Sequence, residues 1–160
     1  MHLTSEEFAA WVAERTDQVQ MSILDALETS NLLVDEVARH LVEAGGKMYR
    51  PGLVIAAGGL GLEGGCVDEA NLIRAASVVE LTHVASLYHD DVMDQATLRR
   101  GRRSAHVTWS NSVAILVGDF MLARASILGA ELGKDCIVYQ AQTLILFQRT
   151  IMLFHGLHHL

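Results

Sequence analysis

Apolar residues recur along most of this chain at the three- and four-residue intervals of helices that bury one side. At the N-terminus, Thr4 and Glu7 match the Thr-x-x-Glu capping box that starts a helix. A second helix is predicted over residues 32–43, with Leu33, Val37 and Leu41 on its buried side. Because alternation with a period of two is scarce, the pattern predicts an all-α protein and not a sheet.

Glycines and the single proline indicate where the next helix begins and ends. The glycines at 45–46 end the second helix, because glycine readily takes the left-handed backbone of a helix C-terminus. Pro51 can open a short, apolar third helix at its first position. The glycines at 58–59 are expected to end that helix near Leu60.

Two long apolar helices complete the pattern. Acidic residues at 68–69 favour a helix start, because the positive end of the helix dipole attracts them, and the helix should run to about Asp94. Another helix is predicted over about 112–130. Gly133 separates it from a last apolar helix that Asp135 can cap.

The composition allows one domain with a substantial core. Of the 160 residues, 51% are hydrophobic, and no repeat or linker divides the chain. Residues 1–160 are therefore predicted to form a single all-α helical bundle. The net charge of −7 argues against a nucleic-acid partner, since such proteins present broad basic surfaces.

Cysteine usage and hydropathy bear on the compartment. Cys66 and Cys136 lie far apart without the spacing of metal ligands, which fits reduced thiols in the cytoplasm. The N-terminus is acidic and amphipathic, unlike a secretory signal. Asp119 and Arg124 interrupt the most apolar window, so no continuous run of about eighteen apolar residues predicts a transmembrane segment.

Three aspartates, Asp90, Asp91 and Asp94, end the long helix. Asp90 and Asp94 are four residues apart and share a helix face, with Asp91 about 100° away. Their mutual repulsion and the negative end of the helix dipole both disfavour them there. A divalent cation would remove both penalties, and all-oxygen ligands favour Mg²⁺. The alternative is a solvated helix end, although the apolar stretch LTHVASLYH before the aspartates favours a site.

Basic residues are concentrated at two places. In the motif GGKMYRP, Lys47 and Arg50 stand at the start of the third helix, where free N–H groups and the helix dipole attract an anion. A solvated loop is the alternative there. Arg99 and Arg100 follow the aspartates, and a short loop could fold them back towards a metal-bound phosphate. One carboxylate cluster with two basic clusters suits two diphosphate groups better than one.

These motifs resemble those of the trans-isoprenyl diphosphate synthases. GGKMYRP is similar to that family's GGKxxRP, and HDDVMDQATLRRG to its first aspartate-rich motif, DDxxD followed by RRG. The segments VELTHVASLYHDD and WSNSVAILVGDFMLARA also resemble the family, and the similarity covers roughly residues 30–143. Four segments in the same order are specific in combination. The resemblance implies the isoprenoid synthase bundle, truncated to about its first half.

The resemblance also assigns roles to individual residues. Asp90 and Asp94 would hold Mg²⁺ on an allylic diphosphate, with Asp91 in the same cluster, and Arg99 would bind that diphosphate. The residues that would hold isopentenyl diphosphate are Lys47, Arg50, His83 and Arg100. The family's reaction ionises the allylic C–O bond and joins the carbocation head-to-tail to isopentenyl diphosphate. Without the resemblance, His83 would be interpreted as a structural histidine.

Product length follows from the residues one turn before the aspartates. Ala85 and Ser86 occupy the positions at which bulky aromatic residues stop chain growth early in the family. Small residues here predict a tunnel that stays open along the helix, and a polyprenyl product longer than C15.

The chain departs from the family at several positions. Met48 replaces a usual arginine and Arg103 a common proline, and no second DDxxD follows Asp119. Family members are about twice this length. Residues 144–160 form an atypical, strongly apolar tail, as a truncated chain, a frameshifted gene or a degenerate paralogue would have. The tail's histidines, His155, His158 and His159, could suggest a metal site, but a disordered terminus is the expectation.

Three functions remain open. The first is a Mg²⁺-dependent polyprenyl diphosphate synthase, present as its N-terminal half and paired as a homodimer. The second is a truncated, non-catalytic remnant or partner subunit that keeps the fold and diphosphate binding. The third is another Mg²⁺–diphosphate enzyme such as a terpene cyclase. Lys47 and Arg50 count against the third, because that class generally lacks GGKxxRP.

Overall fold

The computed structural model describes residues 4–62 and 68–157. Helices dominate these residues, which confirms the all-α class, and a short hairpin interrupts them. The helices are α1 (Ser5–Leu27), α2 (Leu32–Glu43), α3 (Tyr49–Leu62), α4 (Glu69–Met93), α5 (Ala105–Thr108), α6 (Asn111–Glu131) and α7 (Lys134–Leu157). The hairpin strands are β1 (Leu98–Arg99) and β2 (Arg102–Arg103).

Side-chain caps start α1 and α4 where the sequence predicts them, whereas α7 starts at Lys134, so Asp135 lies in its first turn and is not the predicted cap. Thr4 and Glu7 form the capping box: the Thr4 N–H donates to Glu7 Oε2 at 2.7 Å, and the Glu7 N–H donates to Thr4 Oγ1 at 3.2 Å. Asp68 caps α4 by accepting a hydrogen bond from the Asn71 N–H at 3.1 Å. α4 therefore starts at Glu69 and continues for 25 residues to the aspartates.

The core surrounds α4, against which α1, α3 and α6 pack. Val37 and Leu41, predicted to be buried, are fully buried, whereas the same prediction for Leu33 is wrong, because this residue in the first turn of α2 is 46% exposed. The Tyr88 hydroxyl is also buried and donates a hydrogen bond to the carbonyl of Val37. This contact ties α2 to α4 just before the aspartates, so the functional end of α4 rests on a packed base.

The expectation that the glycines at 58–59 end α3 is wrong, because the helix continues to Leu62. A side chain at either glycine would collide with a neighbouring helix. A Cβ at position 58 would meet Leu72 of α4, and a Cβ at position 59 would meet Phe8 and Trp11 of α1. The two glycines therefore let three helices approach closely, and tertiary packing outweighs their low helix propensity.

The arginine-rich loop is a tight hairpin, which the sequence analysis missed. β1 and β2 pair antiparallel, with Arg99 opposite Arg102. The two turn residues, Arg100 and Gly101, have φ angles of +52° and +76°. A two-residue type I′ turn requires positive φ at both positions, which glycine adopts freely and arginine adopts at a cost in strain.

Within the described residues, α6 is the one helix whose length and composition would allow it to cross a bilayer. Core helices pass the same test, and α6 packs along α4. The backbone of the apolar tail is helical, because α7 extends through it to Leu157. Cys66, His158, His159 and the side chain of His155 lie outside the described part of the chain.

Candidate functional site

One face of α4 lines a groove against α6 and α7. Two largely apolar cavities of about 470 and 690 Å³ follow one another along this face. Ser86, Leu144 and Phe147 border both cavities and so join them. The first cavity reaches Arg50, and the second reaches Asp90. The groove therefore has a basic end and an acidic end, with apolar walls between them.

Asp90 and Asp94 form the acidic end. The Asp94 N–H donates to the Asp90 carbonyl at 2.8 Å, so the helical turn persists and both residues share a face. Asp90 is half-buried and Asp94 is exposed. Burial raises the pKa of Asp90, and the charge of Asp94 raises it further, while Arg99 acts in the opposite direction. A bound cation would offset both of the unfavourable effects.

Asp91 points away from that face and is only 1% exposed. Its Oδ1 accepts a hydrogen bond from Arg99 Nε at 2.8 Å and lies 2.6 Å from Arg99 Nη2. Its Oδ2 is buried without a hydrogen-bond partner among the described residues. The middle aspartate thus holds Arg99 beside the acidic end, while Asp90 lines the second cavity.

The donors at the acidic end suit a hard divalent cation. Among residues 4–62 and 68–157, no group of three or more His, Cys, Asp or Glu side chains could hold a metal ion. Mg²⁺ does not need such a cage, because it commonly takes one or two carboxylates and completes its shell with water and substrate phosphates. Asp90 and Asp94 fit that mode, as two oxygen donors on one helix face.

The loop between α2 and α3 forms a separate polar cavity of about 430 Å³, which we call the basic cradle; it is lined by residues 44–50, Glu80, His83 and Arg100. α3 begins at Tyr49, two residues before Pro51, so Lys47 lies in the loop and Arg50 in the first helical turn. Both side chains are exposed. The first-turn N–H groups and these two cations point to anion binding.

Arg100 enters the basic cradle from the hairpin. Its Nη1 donates to the Leu41 carbonyl at 3.0 Å, and its Nη2 donates to Glu80 Oε1 at 3.1 Å. Gly46 leaves room for the guanidinium, since a Cβ at that position would stand 3.0 Å from Arg100 Cζ. The two basic motifs of the sequence therefore meet here, although only Arg100 of the hairpin joins the loop, and Arg99 stays with the aspartates.

His83 borders both the basic cradle and the first apolar cavity. Burial, and then the charges of Arg50, Arg100 and Arg99, lower the pKa of His83 to about 4. The ring is therefore neutral near pH 7. Its Nδ1 is buried and has no hydrogen-bond partner among the described residues. A neutral ring at this border can orient a ligand without repelling the surrounding arginines.

The two small residues expected to face the tunnel take different places. Ser86 lines both apolar cavities. Ala85 is fully buried within the hydrophobic core cluster instead. Ser86 is four residues before Asp90 and shares its face, whereas Ala85 is turned about 100° into the bundle. The expectation for Ala85 is corrected accordingly, and the effect of either residue on product length stays a prediction.

Two polar residues of the site were missed by the sequence analysis. Glu80 lies beneath the basic cradle, and its position within the apolar run VVELTHVAS is the signal that could have revealed it. Gln140 of α7 donates to Thr82 Oγ1 at 3.1 Å and accepts a hydrogen bond from the Ser126 hydroxyl at 3.2 Å. No sequence pattern predicts that bridge, because it depends on where α7 lies.

A family model described as polyprenyl synthetase matches residues 31–156. The match extends past residue 143 into the tail that was expected to be atypical. The nonaprenyl diphosphate synthase of Mycobacterium tuberculosis is 40% identical over 136 residues, which cover 85% of this chain and 40% of that protein. Component 2 of the heptaprenyl diphosphate synthase of Geobacillus stearothermophilus is 45% identical over 99 residues, covering 62% of this chain and 30% of that protein.

A solved structure agrees with these similarities. The polyprenyl synthase of Caulobacter crescentus, crystallised with calcium and isoprenyl diphosphate, superimposes with a TM-score of 0.79 at 31% identity. The superposition covers 94% of this chain and 45% of that one. The chain thus spans less than half the length of each of these proteins. The residues that the family model matches include those of the basic cradle and of the acidic end.

Proposed function

The chain belongs to the polyprenyl synthetase family, and we propose that it carries the diphosphate-binding residues of a long-chain trans-prenyltransferase. The reaction condenses isopentenyl diphosphate head-to-tail with an allylic diphosphate to give a polyprenyl diphosphate longer than C15. Relatives named nonaprenyl and heptaprenyl diphosphate synthases support a long product. The cytoplasm is the proposed compartment.

The observation that carries this proposal is the groove with two different ends. Isopentenyl diphosphate would occupy the basic cradle, where Lys47, Arg50 and Arg100 offer charge-assisted hydrogen bonds to its oxygens. The allylic diphosphate would lie at Asp90 and Asp94, with its prenyl tail in the apolar cavities. Arg50 and His83 stand between the two, which suits two substrates that must meet.

The chain's own residues would contribute orientation and electrostatics to the reaction. Arg99, held by Asp91, would stabilise the negative charge that develops on the departing diphosphate. Mg²⁺ bound at Asp90 and Asp94 would supply further stabilisation of that charge. The apolar walls along α4 would keep water from the allylic cation, so the double bond of isopentenyl diphosphate is the nucleophile that reaches it.

Calorimetric titration with farnesyl diphosphate tests the acidic end. The wild-type chain should bind it in the presence of Mg²⁺, and Asp90→Asn or Asp94→Asn should weaken that binding at least about tenfold, since each removes a charged ligand. Asp17→Asn, on the exposed surface of α1, is the matched control and should bind like the wild type. Equal affinity with and without Mg²⁺ would refute the assignment.

Calorimetric titration with Mg²⁺ of the wild type, Asp90→Asn and Asp91→Asn separates the two kinds of aspartate. Asp91→Asn should lower the free energy of unfolding, because buried Asp91 pairs with Arg99, and should leave Mg²⁺ affinity near the wild-type value. A loss of Mg²⁺ affinity equal to that of Asp90→Asn would show that Asp91 is itself a ligand.

The second candidate function is a non-catalytic partner that binds diphosphate without turning it over. A relative named as one component of a synthase is the observation that favours it. Incubation with Mg²⁺, farnesyl diphosphate and labelled isopentenyl diphosphate distinguishes the two. Chain elongation supports the enzyme, and binding without elongation supports the partner.

We further propose that the chain pairs with a second copy. The outer face of α6 exposes Leu116 at 67% and Ile127 at 55%, and apolar side chains on one helix face favour association. Sedimentation velocity should give a dimer for the wild type, and Leu116→Glu with Ile127→Glu should shift it towards monomer. Ala9→Glu with Ala13→Glu, at exposed positions of α1, adds the same two negative charges and is the control, which should remain a dimer.

A further inference from the structure

Glu80 is a buried acid in a cradle that otherwise binds by positive charge. Only 4% of the residue is exposed, and it borders the cavity beside His83 and Arg100. We propose that Glu80 is the positioning residue of the basic cradle, holding Arg100 in the orientation that receives a diphosphate. The inference rests on the proposed function, since it concerns how that function's second diphosphate is bound.

The contacts of Arg100 show why such a residue is needed. Its backbone takes a positive φ at the tip of the hairpin, which is a strained conformation for a residue other than glycine. Two acceptors fix the guanidinium: the Leu41 carbonyl at the end of α2 and the Glu80 carboxylate of α4. Without Glu80, one anchor remains, and a planar guanidinium on a flexible stem is poorly defined by a single hydrogen bond.

The cost of burying Glu80 argues that the residue is more than packing. Burial raises the pKa of Glu80, while the hydrogen bond and charge of Arg100 lower it. A buried carboxylate is tolerated when a hydrogen-bonded cation compensates it, and an apolar residue of the same length would serve packing alone at lower cost. The acceptor oxygen facing Arg100 is therefore the feature that an apolar replacement lacks.

Two other roles for Glu80 predict a different result when the residue is replaced: anion binding would become tighter or would not change. If Glu80 served only as a counter-charge, its removal would make the cradle more positive and strengthen anion binding. If it served only as packing, a side chain of equal length would leave anion binding unchanged. A positioning role predicts that loss of the acceptor weakens binding even though the local charge becomes more positive.

The test is calorimetric titration with inorganic pyrophosphate in EDTA, which silences the metal-dependent acidic end. Glu80→Met removes the acceptor and the charge at constant length, and should weaken pyrophosphate binding about tenfold. Glu80→Gln keeps an acceptor oxygen and should rescue affinity to within about threefold of the wild type. Glu43→Met, an exposed acid at the end of α2, controls for simple loss of charge and should not weaken binding.

A double-mutant cycle covers the case in which Glu80→Met does not fold, because removing both members of the pair leaves no unpaired buried charge. Glu80→Met combined with Arg100→Met should bind pyrophosphate like Arg100→Met alone. Unchanged or tighter binding by Glu80→Met, or a further loss in the Arg100→Met background, would overturn the positioning role. A wild-type chain that fails to bind pyrophosphate would overturn the proposed cradle itself, which is a separate outcome.

Discussion

At the scale of single residues, burial and neighbouring charge decide what each titratable side chain can do. Asp90 and Asp91 are adjacent in the sequence, yet one borders the groove and the other is buried against Arg99. Burial, and then the charges of three nearby arginines, lower the pKa of His83 and keep its ring neutral. These environments, and not residue type, separate candidate ligands from the residues that hold them in place.

His83 should make stability depend on pH. Because its pKa falls from the ordinary 6.5 to about 4 in the folded protein, the unfolded chain binds more protons between these values. The folded state therefore loses stability as pH falls through that window, and the contribution is fully present above pH 6.5. After allowance for the part of the ring that solvent screens, the loss should be about 1–2 kcal/mol.

Urea unfolding at pH 7 and pH 5 measures this effect. His83→Gln removes the titrating ring at similar size, so its free energy of unfolding should fall less than that of the wild type between the two pH values. His40→Gln makes the same substitution at a histidine of α2 and is the comparison variant. Equal pH dependence of wild type and His83→Gln would contradict the assignment.

Sequence reasoning succeeded at this scale for charges that stand in motifs and failed for charges that depend on tertiary contacts. The spacing of Asp90 and Asp94 predicted their shared face. Nothing in the spacing could show that Asp91 faces Arg99, since that pairing requires the hairpin to fold back across eight residues. Glu80 was missed for the same reason, because its partner lies twenty residues further along the chain.

At the scale of elements, α4 presents two faces with different tolerance for bulk. Ser86→Phe would project its ring into the groove, where the two cavities join, and should leave thermal stability nearly unchanged. Ala85→Phe would enter a fully buried position and should cost about 1–3 kcal/mol or more of unfolding free energy through overpacking. The same substitution at adjacent positions thus tests which one faces the groove.

Binding of alkyl diphosphates of increasing length provides the functional measurement for this pair. Ser86→Phe should bind a short-chain diphosphate like the wild type and lose affinity for long chains, because the ring blocks the passage between the cavities. If Ala85→Phe shows this length dependence and Ser86→Phe does not, the assignment of the groove face is wrong.

The starts of α1 and α4 were predictable from local chemistry, whereas the start of α3, two residues before Pro51, and its end were not. The capping box at Thr4 and the cap at Asp68 depend on contacts within one turn, so the sequence contains the whole signal. The glycines at 58–59 were interpreted as a helix stop because their purpose, close approach to α1 and α4, lies in the tertiary structure. The hairpin at 98–103 was likewise hidden, since Arg100 is an uncommon residue for a type I′ turn.

At the scale of the whole molecule, Gln140 links α7 to the rest of the bundle by bridging Thr82 of α4 and Ser126 of α6. Gln140→Leu would leave the Thr82 hydroxyl without this partner and should lower the free energy of unfolding by about 1–3 kcal/mol. We expect backbone amides of α7 to exchange faster with solvent deuterium while those of α4 keep their protection, because α7 is held by fewer contacts.

Hydrogen–deuterium exchange followed by mass spectrometry makes the comparison, with Gln142→Leu as the exposed control on the same helix. Uniform loss of protection across α4 and α7 would show that the bundle opens as one unit and that the bridge has no local role. The all-α class was predictable from periodicity. The placement of α7 along the groove was not, because the continuous apolar runs at 144–147 and 151–154 do not mark a single buried face.

Arg50 and His83 belong to the walls of two neighbouring cavities at once. A ligand that draws Arg50 towards one cavity removes its charge from the other cavity. Binding in one cavity therefore changes the free energy of binding in the other. Thermodynamic linkage makes that influence mutual: whatever factor the first guest imposes on the second, the second must return to the first. The shared wall between the cavities thereby couples the binding of the two ligands.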